Sequence, residues 1–212
     1  MKFQHIIKPG IKNIYIKVDK DGSIILTSSP FRKKEALALL EKKRKWIKSA
    51  VEKSLKYPRK DNIYTNNGKV YLFGNPYTLF YTKGTKEEIS FNGKSVCYHS
   101  KNFANPQTAV EKFYKNEIHR YISLRISFFS KKLSLYPKEI RYRKMKRRLG
   151  SCSSSNVLTF NTLLSKLSHT EIDYVIVHEL SHIKYKNHSK KFWEEVARIF
   201  PNYKKIRSGI SL

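Results

Sequence analysis

The chain has 212 residues, of which 40% are hydrophobic and 13% aromatic, enough to build a core and to exclude wholesale disorder. Lys and Arg total 44 against 16 Asp and Glu, a formal net charge of +28 that favours acidic partners, although a lysine-rich composition is also what an AT-rich genome produces. Cys97 and Cys152 form no CxxC pattern, the first residues lack a long apolar stretch, and no apolar run approaches 18 residues; a disulfide scaffold and a membrane span are excluded, and a cytoplasmic protein is expected.

Ile14, Ile16 and Val18 alternate with Tyr15 and Lys17, and the turn signal Asp19-Lys20-Asp21-Gly22 leads into Ser23–Thr27. This pattern predicts a hairpin. A single helix is expected over about 32–55, with Leu37, Leu40, Trp46, Ile47 and Val51 at helical spacing and a basic opposite face. Residues 57–68, with Pro58 and Gly68, read as a loop. Strands are expected at 70–73, 77–82, 89–91 and 95–99, parted by Gly74-Asn75-Pro76 and Asn92-Gly93.

Asn105-Pro106 opens a long helix, with Pro where a first turn tolerates it. Its stripe of Val110, Phe113, Ile118, Ile122, Ile126 and Phe129 should continue to about Tyr136-Pro137. Residues 139–149 alternate apolar and basic side chains. Gly150 to Asn156 reads as a turn, and Val157–Phe160 as the strand returning from it.

Ser168-His169-Thr170-Glu171 is a capping box, so a helix starts here. Ile172, Val175, Ile176, Val177, Leu180 and Ile183 make that helix apolar on most sides, which places it centrally. It carries His178-Glu179-Leu180-Ser181-His182, an HExxH pattern. Two imidazoles four residues apart share one helix face and can share one Zn2+. Glu179 is offset round the helix, where its carboxylate reaches a water at the metal without ligating it; it is the expected general base.

A catalytic zinc needs a third protein ligand, and His188 stands six residues beyond His182. Asn187 suits the left-handed conformation that ends a helix, and Ser189 suits the N-cap of a last helix over 190–200. The only acids after His182 are Glu194 and Glu195, so no distant Glu ligand is available. The spacing is metzincin-like, but Tyr185 stands where a metzincin has Gly, and the methionines are Met1 and Met145 alone. His5, His99, His119 and His169 have no ligand spacing. Cys152 lacks the basic cluster of a thiol nucleophile and reads as structural.

Four segments together resemble the YgjP-like metallopeptidase family (DUF45), a relative of SprT-like and WLM zincins. They are HELSHIKYKNHSKKFW at 178–193, LGSCSSSNVLTFN at 149–161 with Leu149 in place of the usual Trp, KKEALALLEKKRKWIKSAVEK at 33–53, and YLFGNPYTLFY at 71–81. The resemblance implies an α+β fold: a zincin-like catalytic half over 101–212, with the HExxH helix and an edge strand, after a β-rich N-terminal half over 1–100 with one helix. It further implies that residues 150–160 form the edge strand that pairs with an extended substrate, making Gly150, Ser151 and Cys152 substrate-binding candidates.

The function expected is peptide-bond hydrolysis by zinc-activated water, with a peptide or protein substrate. Two alternatives stay open from the residues alone. One is a metal-dependent nucleotide phosphohydrolase, which the basic surface favours and the absence of a P-loop disfavours. The other is a nucleic-acid-associated protease or binding protein that uses the same surface.

Overall fold

The structure is a computed structural model, and it describes residues 2–19, 21–56, 60–146 and 148–210. Contacts divide the chain into two compact units, residues 1–59 and 60–210. The resemblance implies halves that meet near residue 100 and together form one compact unit. The long central helix explains the difference. Its first half buries Val110 and Tyr114 in the core of the four-stranded sheet, while Ile118, Ile122, Ile126, Phe129 and Leu133 enter the core that follows. The sheet before residue 100 and the helices after it are thereby parts of one unit.

The first unit holds β1 (Gln4–Ile7), β2 (Tyr15–Val18) and β3 (Ile24–Ser28), in the order β1-β3-β2. The expected hairpin is β2 and β3, antiparallel with Tyr15 opposite Thr27. Its turn closes with the Gly22 amide on the Asp19 carbonyl, and Gly22 takes a φ of 81° that only glycine adopts without strain. Lys20 of that turn, and Pro58 of the predicted loop, lie outside the described residues. β1 was not foreseen; it pairs parallel to β3.

The single helix expected over 32–55 is two helices, α1 (Lys33–Lys42) and α2 (Arg44–Lys56), parted at Lys43. The break lets two short helices cover a twisted sheet, α1 against β3 and α2 against β2. Ala36, Leu40 and Ile47 are the buried helix positions, packed with Ile24 and Leu26 of β3.

The second unit begins with β4 (Gly68–Leu72), β5 (Asn75–Lys83), β6 (Glu88–Phe91) and β7 (Ser95–Ser100), in the order β4-β5-β7-β6 with β5 and β7 parallel. α3 (Pro106–Leu133) follows and stops three residues earlier than expected, at Ser134 in the left-handed conformation (φ 56°). Then come β8 (Glu139–Arg143), β9 (Gly150–Cys152) and β10 (Val157–Asn161), in the order β8-β10-β9. The predicted turn at 150–156 is shorter than expected: Gly150, Ser151 and Cys152 form β9, antiparallel to β10, and the reversal is confined to the residues between. Backbone pairing with β10 overrides the turn-like composition.

α4 (His169–Lys184) starts at the predicted capping box, with both reciprocal hydrogen bonds of Ser168 and Glu171 formed. α5 (Lys190–Ile199) and α6 (Tyr203–Gly209) complete the unit. Ile172, Val175, Ile176, Val177 and Leu180 bury α4 in the core, where the helix packs against α3, β9, α5 and α6. Its polar anchor is Asp173, which accepts from Arg125 Nε and Nη2 at 2.6 to 3.1 Å and from the Tyr121 hydroxyl at 3.0 Å. The start of α4 is fixed from the other sheet: Phe73 donates its amide to the Ser165 carbonyl, and Gly74 lies so close to Ser168 that an added Cβ would stand 3.1 Å from it. Three small sheets and six helices among the described residues make this the expected α+β class. No helix among those residues is long and apolar enough to cross a membrane.

The central placement of α3 gives a stability prediction. Ile122 is fully buried where α3 meets α4. Ile122→Ala should destabilise the second unit by about 2–5 kcal/mol, the usual range for a large aliphatic truncated in a core. Urea unfolding should show the midpoint fall with an unchanged slope.

Candidate active site

A stretch of α4 sets the site. Tyr174, His178 and His182 follow each other at intervals of four, so they share one face, each about a turn above the last. The apolar residues on the other faces hold that face in place.

His188 completes a cluster. One ligand atom each from His178, His182 and His188 lies within 4.8 Å of the others, and His178 Nε2 is 3.1 Å from His188 Nε2. The backbone reaches this position differently from the expectation for Asn187, which is not left-handed. Instead, α4 ends through extended backbone at Tyr185, and Asn187 Oδ1 accepts the Ser189 amide. The extended Tyr185 places its carbonyl 2.9 Å from His182 Nδ1, which leaves Nε2 of that ring toward the cluster. Ser189 caps α5 as expected.

α5 supplies the bed for the imidazoles. Phe192 stacks on His182 at 4.5 Å and Trp193 on His188 at 5.3 Å, while Tyr203 of α6 covers Trp193 at 5.0 Å. Burial above all, then the facing charges of His182, His188 and Arg207, lower the His178 pKa to about 3. Burial, His182 and Arg207 also lower that of His188. Both rings are therefore neutral at physiological pH, the form that donates a lone pair to a metal.

The donor set suits a divalent metal. Among the described residues, the polar neighbour of His178 Nε2 is another imidazole, and His178 Nδ1 is enclosed with no hydrogen-bond partner. Such groups cost free energy when left unsatisfied, and a shared cation relieves the pair that face each other. Three nitrogens and no thiolate are the ligand complement of a catalytic rather than a closed structural site.

Glu179 is 5% exposed and stands beside the cluster. Burial pushes its carboxyl up to about 8, partly offset by the charge of Arg148. Gly150 of β9 lies against it: a Cβ built there would stand 2.7 Å from Glu179 Cγ and 2.8 Å from Oε1. Only glycine lets the strand lie against this carboxyl.

The substrate-binding candidates separate at this point. Gly150 lines a cavity of about 320 Å3 together with His178, Glu179 and His188. Ser151 and Cys152 continue the strand but are not among the residues lining that cavity. Cys152 packs on the core, its thiol pKa raised by burial, and its Sγ lies 3.7 Å from Lys186 Nζ. Lys186 Nζ also donates to the Ser153 carbonyl and, at 2.6 Å, to Asn156 Oδ1.

The remaining walls of the cavity include Tyr174, Arg148 and Arg207, none of which the sequence pattern had marked. Tyr174 was available from spacing, being four residues before His178. The arginines reach the cavity through tertiary packing, which leaves no local signal.

A family model described as the YgjP-like metallopeptidase domain matches residues 12–210. The chain belongs to the YgjP-like family. An uncharacterized protein of Methanocaldococcus jannaschii is 37% identical over 71 residues, which cover 32% of this chain and 64% of that protein. The match thus spans somewhat less than two thirds of that relative. Among solved structures, the chain is similar to the metallopeptidase zymogen abylysin of Pyrococcus abyssi, at 26% identity over 40% of this chain and 87% of that one, with a TM-score of 0.38. The zymogen jannalysin of M. jannaschii gives 26% identity, 41% and 89% coverage and a TM-score of 0.37.

Two substitutions separate the parts of this YgjP-like site. If the three imidazoles hold a metal together, His188→Ala should weaken its affinity at least about 100-fold, measured by competition with a zinc chelator, because two ligands would remain. Gly150→Ala should leave that affinity within about tenfold, since it disturbs Glu179 and not the imidazoles. Zinc retained in full by the His188 variant would remove His188 from the ligand set.

Proposed function

We propose that the chain is a zinc metallopeptidase in which His178, His182 and His188 hold the metal and Glu179 is the general base. The observation that carries this reading is the buried Glu179 carboxyl, held against Gly150 of β9 beside the clustered imidazoles of His178, His182 and His188. When bound, zinc acts as a Lewis acid that lowers the pKa of water and polarises a carbonyl oxygen.

The protein's own residues supply the rest. A Glu179 carboxylate oxygen takes the proton from the attacking water and delivers it to the leaving nitrogen, so one group serves as base and then as acid. Its burial raises its pKa to about 8, and a cation held by the neighbouring imidazoles would favour the ionised form that accepts the proton.

β9 presents the substrate. The Asn161 amide donates to the Leu149 carbonyl and the Ser153 amide to the Val157 carbonyl. In an antiparallel ladder the alternate residues, Gly150 and Cys152, then direct their amides and carbonyls away from β10, toward the open edge. An extended peptide pairing there runs past Glu179.

Tyr174 supplies an oxyanion donor in this reading. Burial raises its pKa to about 12, so the hydroxyl keeps its proton throughout the working range. Among the described residues its hydroxyl has no hydrogen-bond partner, and the side chain lines the same cavity as His178 and Glu179. It is thus free to bond the charge that develops on the carbonyl oxygen.

The test is hydrolysis of a mixed peptide library by zinc-loaded protein, with zinc content measured alongside each rate. Glu179→Gln keeps the size and removes the basicity; it should retain zinc and lose about 100-fold or more in turnover. Tyr174→Phe should also retain zinc, and lower kcat on the order of 100-fold with less change in KM. Full turnover by the zinc-loaded Glu179 variant would reject the mechanism.

A further inference from the structure

The cavity beside the His cluster is asymmetric in charge. Its wall holds Arg148 and Arg207, and Glu179 is its acidic member. Neither arginine forms an ion pair among the described residues, in a unit where Arg120, Arg125, Arg141 and Arg198 are each paired with a carboxylate. Both are exposed, so neither has been forced into the cavity by burial.

Arg207 is also positioned. Its guanidinium carbon lies 5.0 Å from the centre of the Trp193 ring, and Trp193 is itself held between His188 and Tyr203. A guanidinium packed on an aromatic ring keeps its in-plane N–H donors free, and two of them in a fixed fork match the two oxygens of a carboxylate. Arg207 lines the cavity together with Tyr174, His178 and His188, on the side of the imidazole cluster. Leu149, Val175 and Ile210 add an apolar part to the wall, so a bound anion there would be partly shielded from water.

We propose that Arg207, assisted by Arg148, forms a carboxylate-binding subsite that selects peptides bearing a negative charge close to the cleaved bond. The carboxylate belongs either to an Asp or Glu side chain or to the free C-terminus of the peptide; both offer the same planar anion. This rests on the metallopeptidase reading for its biological use, but the binding itself does not require turnover.

The test therefore uses Glu179→Gln protein loaded with zinc, in which binding is measured without cleavage. Fluorescently labelled peptides form two matched pairs. One pair has an internal Glu or Gln and an amidated C-terminus. The other is a neutral peptide with its C-terminus free or amidated. The carboxylate member of at least one pair should bind about tenfold or more tighter than its amide partner, as a charge-assisted bidentate contact implies. The preferred pair identifies the source of the carboxylate.

In Glu179→Gln/Arg207→Gln protein that preference should fall to about twofold or less, while Arg207→Lys should keep part of it. Raising salt should weaken the preference, because both guanidinium groups are exposed. Equal binding within both pairs, no measurable binding of any carboxylate peptide, or a preference that survives removal of Arg207 and Arg148 together would overturn the subsite. Failure of peptide hydrolysis in the parent protein, with the binding preference intact, would instead count against the catalytic reading alone.

Discussion

A helix buried on nearly every side cannot turn about its own axis, and the candidate site depends on that constraint. α4 is wedged by Ile172, Val175, Ile176, Val177 and Leu180, and keyed by the bidentate contact of Asp173 with Arg125. A rotation of one residue, about 100°, would drive an apolar side chain into the cavity and bury imidazoles in the core. The face bearing Tyr174, His178 and His182 is thus set by packing elsewhere on the helix. Hydrophobic burial, which has no direction of its own, acquires one through the pattern of residues around the helix.

The rest of the second unit meets this helix at its two ends. At the start, the turn after β4 reaches Ser168 and the Ser165 carbonyl, and His169 lies between Phe73 and Tyr121 at 4.6 and 4.7 Å. At the finish, α5 turns back so that Phe192 and Trp193 support the rings of His182 and His188. Function at the centre is carried by few polar atoms, and most of the surrounding aromatic surface serves to keep them still.

The legible parts of the sequence were those with local chemistry. The capping box at Ser168, the HExxH pattern and the cap at Ser189 each signal through neighbours a few residues away, and α4 and α5 begin where those signals put them. Elements fixed by distant partners were less legible. β1 exists because β3 offers it an edge, and three residues of β9 are too few to show an alternation. The break at Lys43 has no Gly or Pro to announce it; it answers to the sheet beneath. Tyr174 was readable by counting four back from His178, whereas Arg207 belongs to a helix whose position relative to the cavity no local pattern states.

Lys186 gives the loop after α4 a second property. Its single amine joins Cys152, Ser153 and Asn156 of the β9–β10 reversal, while its neighbour Tyr185 orients His182 and the chain two residues later delivers His188. The imidazole cluster and the open strand edge are thus mechanically linked through one short stretch of backbone, across a span of only four residues. Stiffening either one removes freedom from the other, so a cation held by the imidazoles would have its ordering effect felt along the strand edge before any peptide arrives.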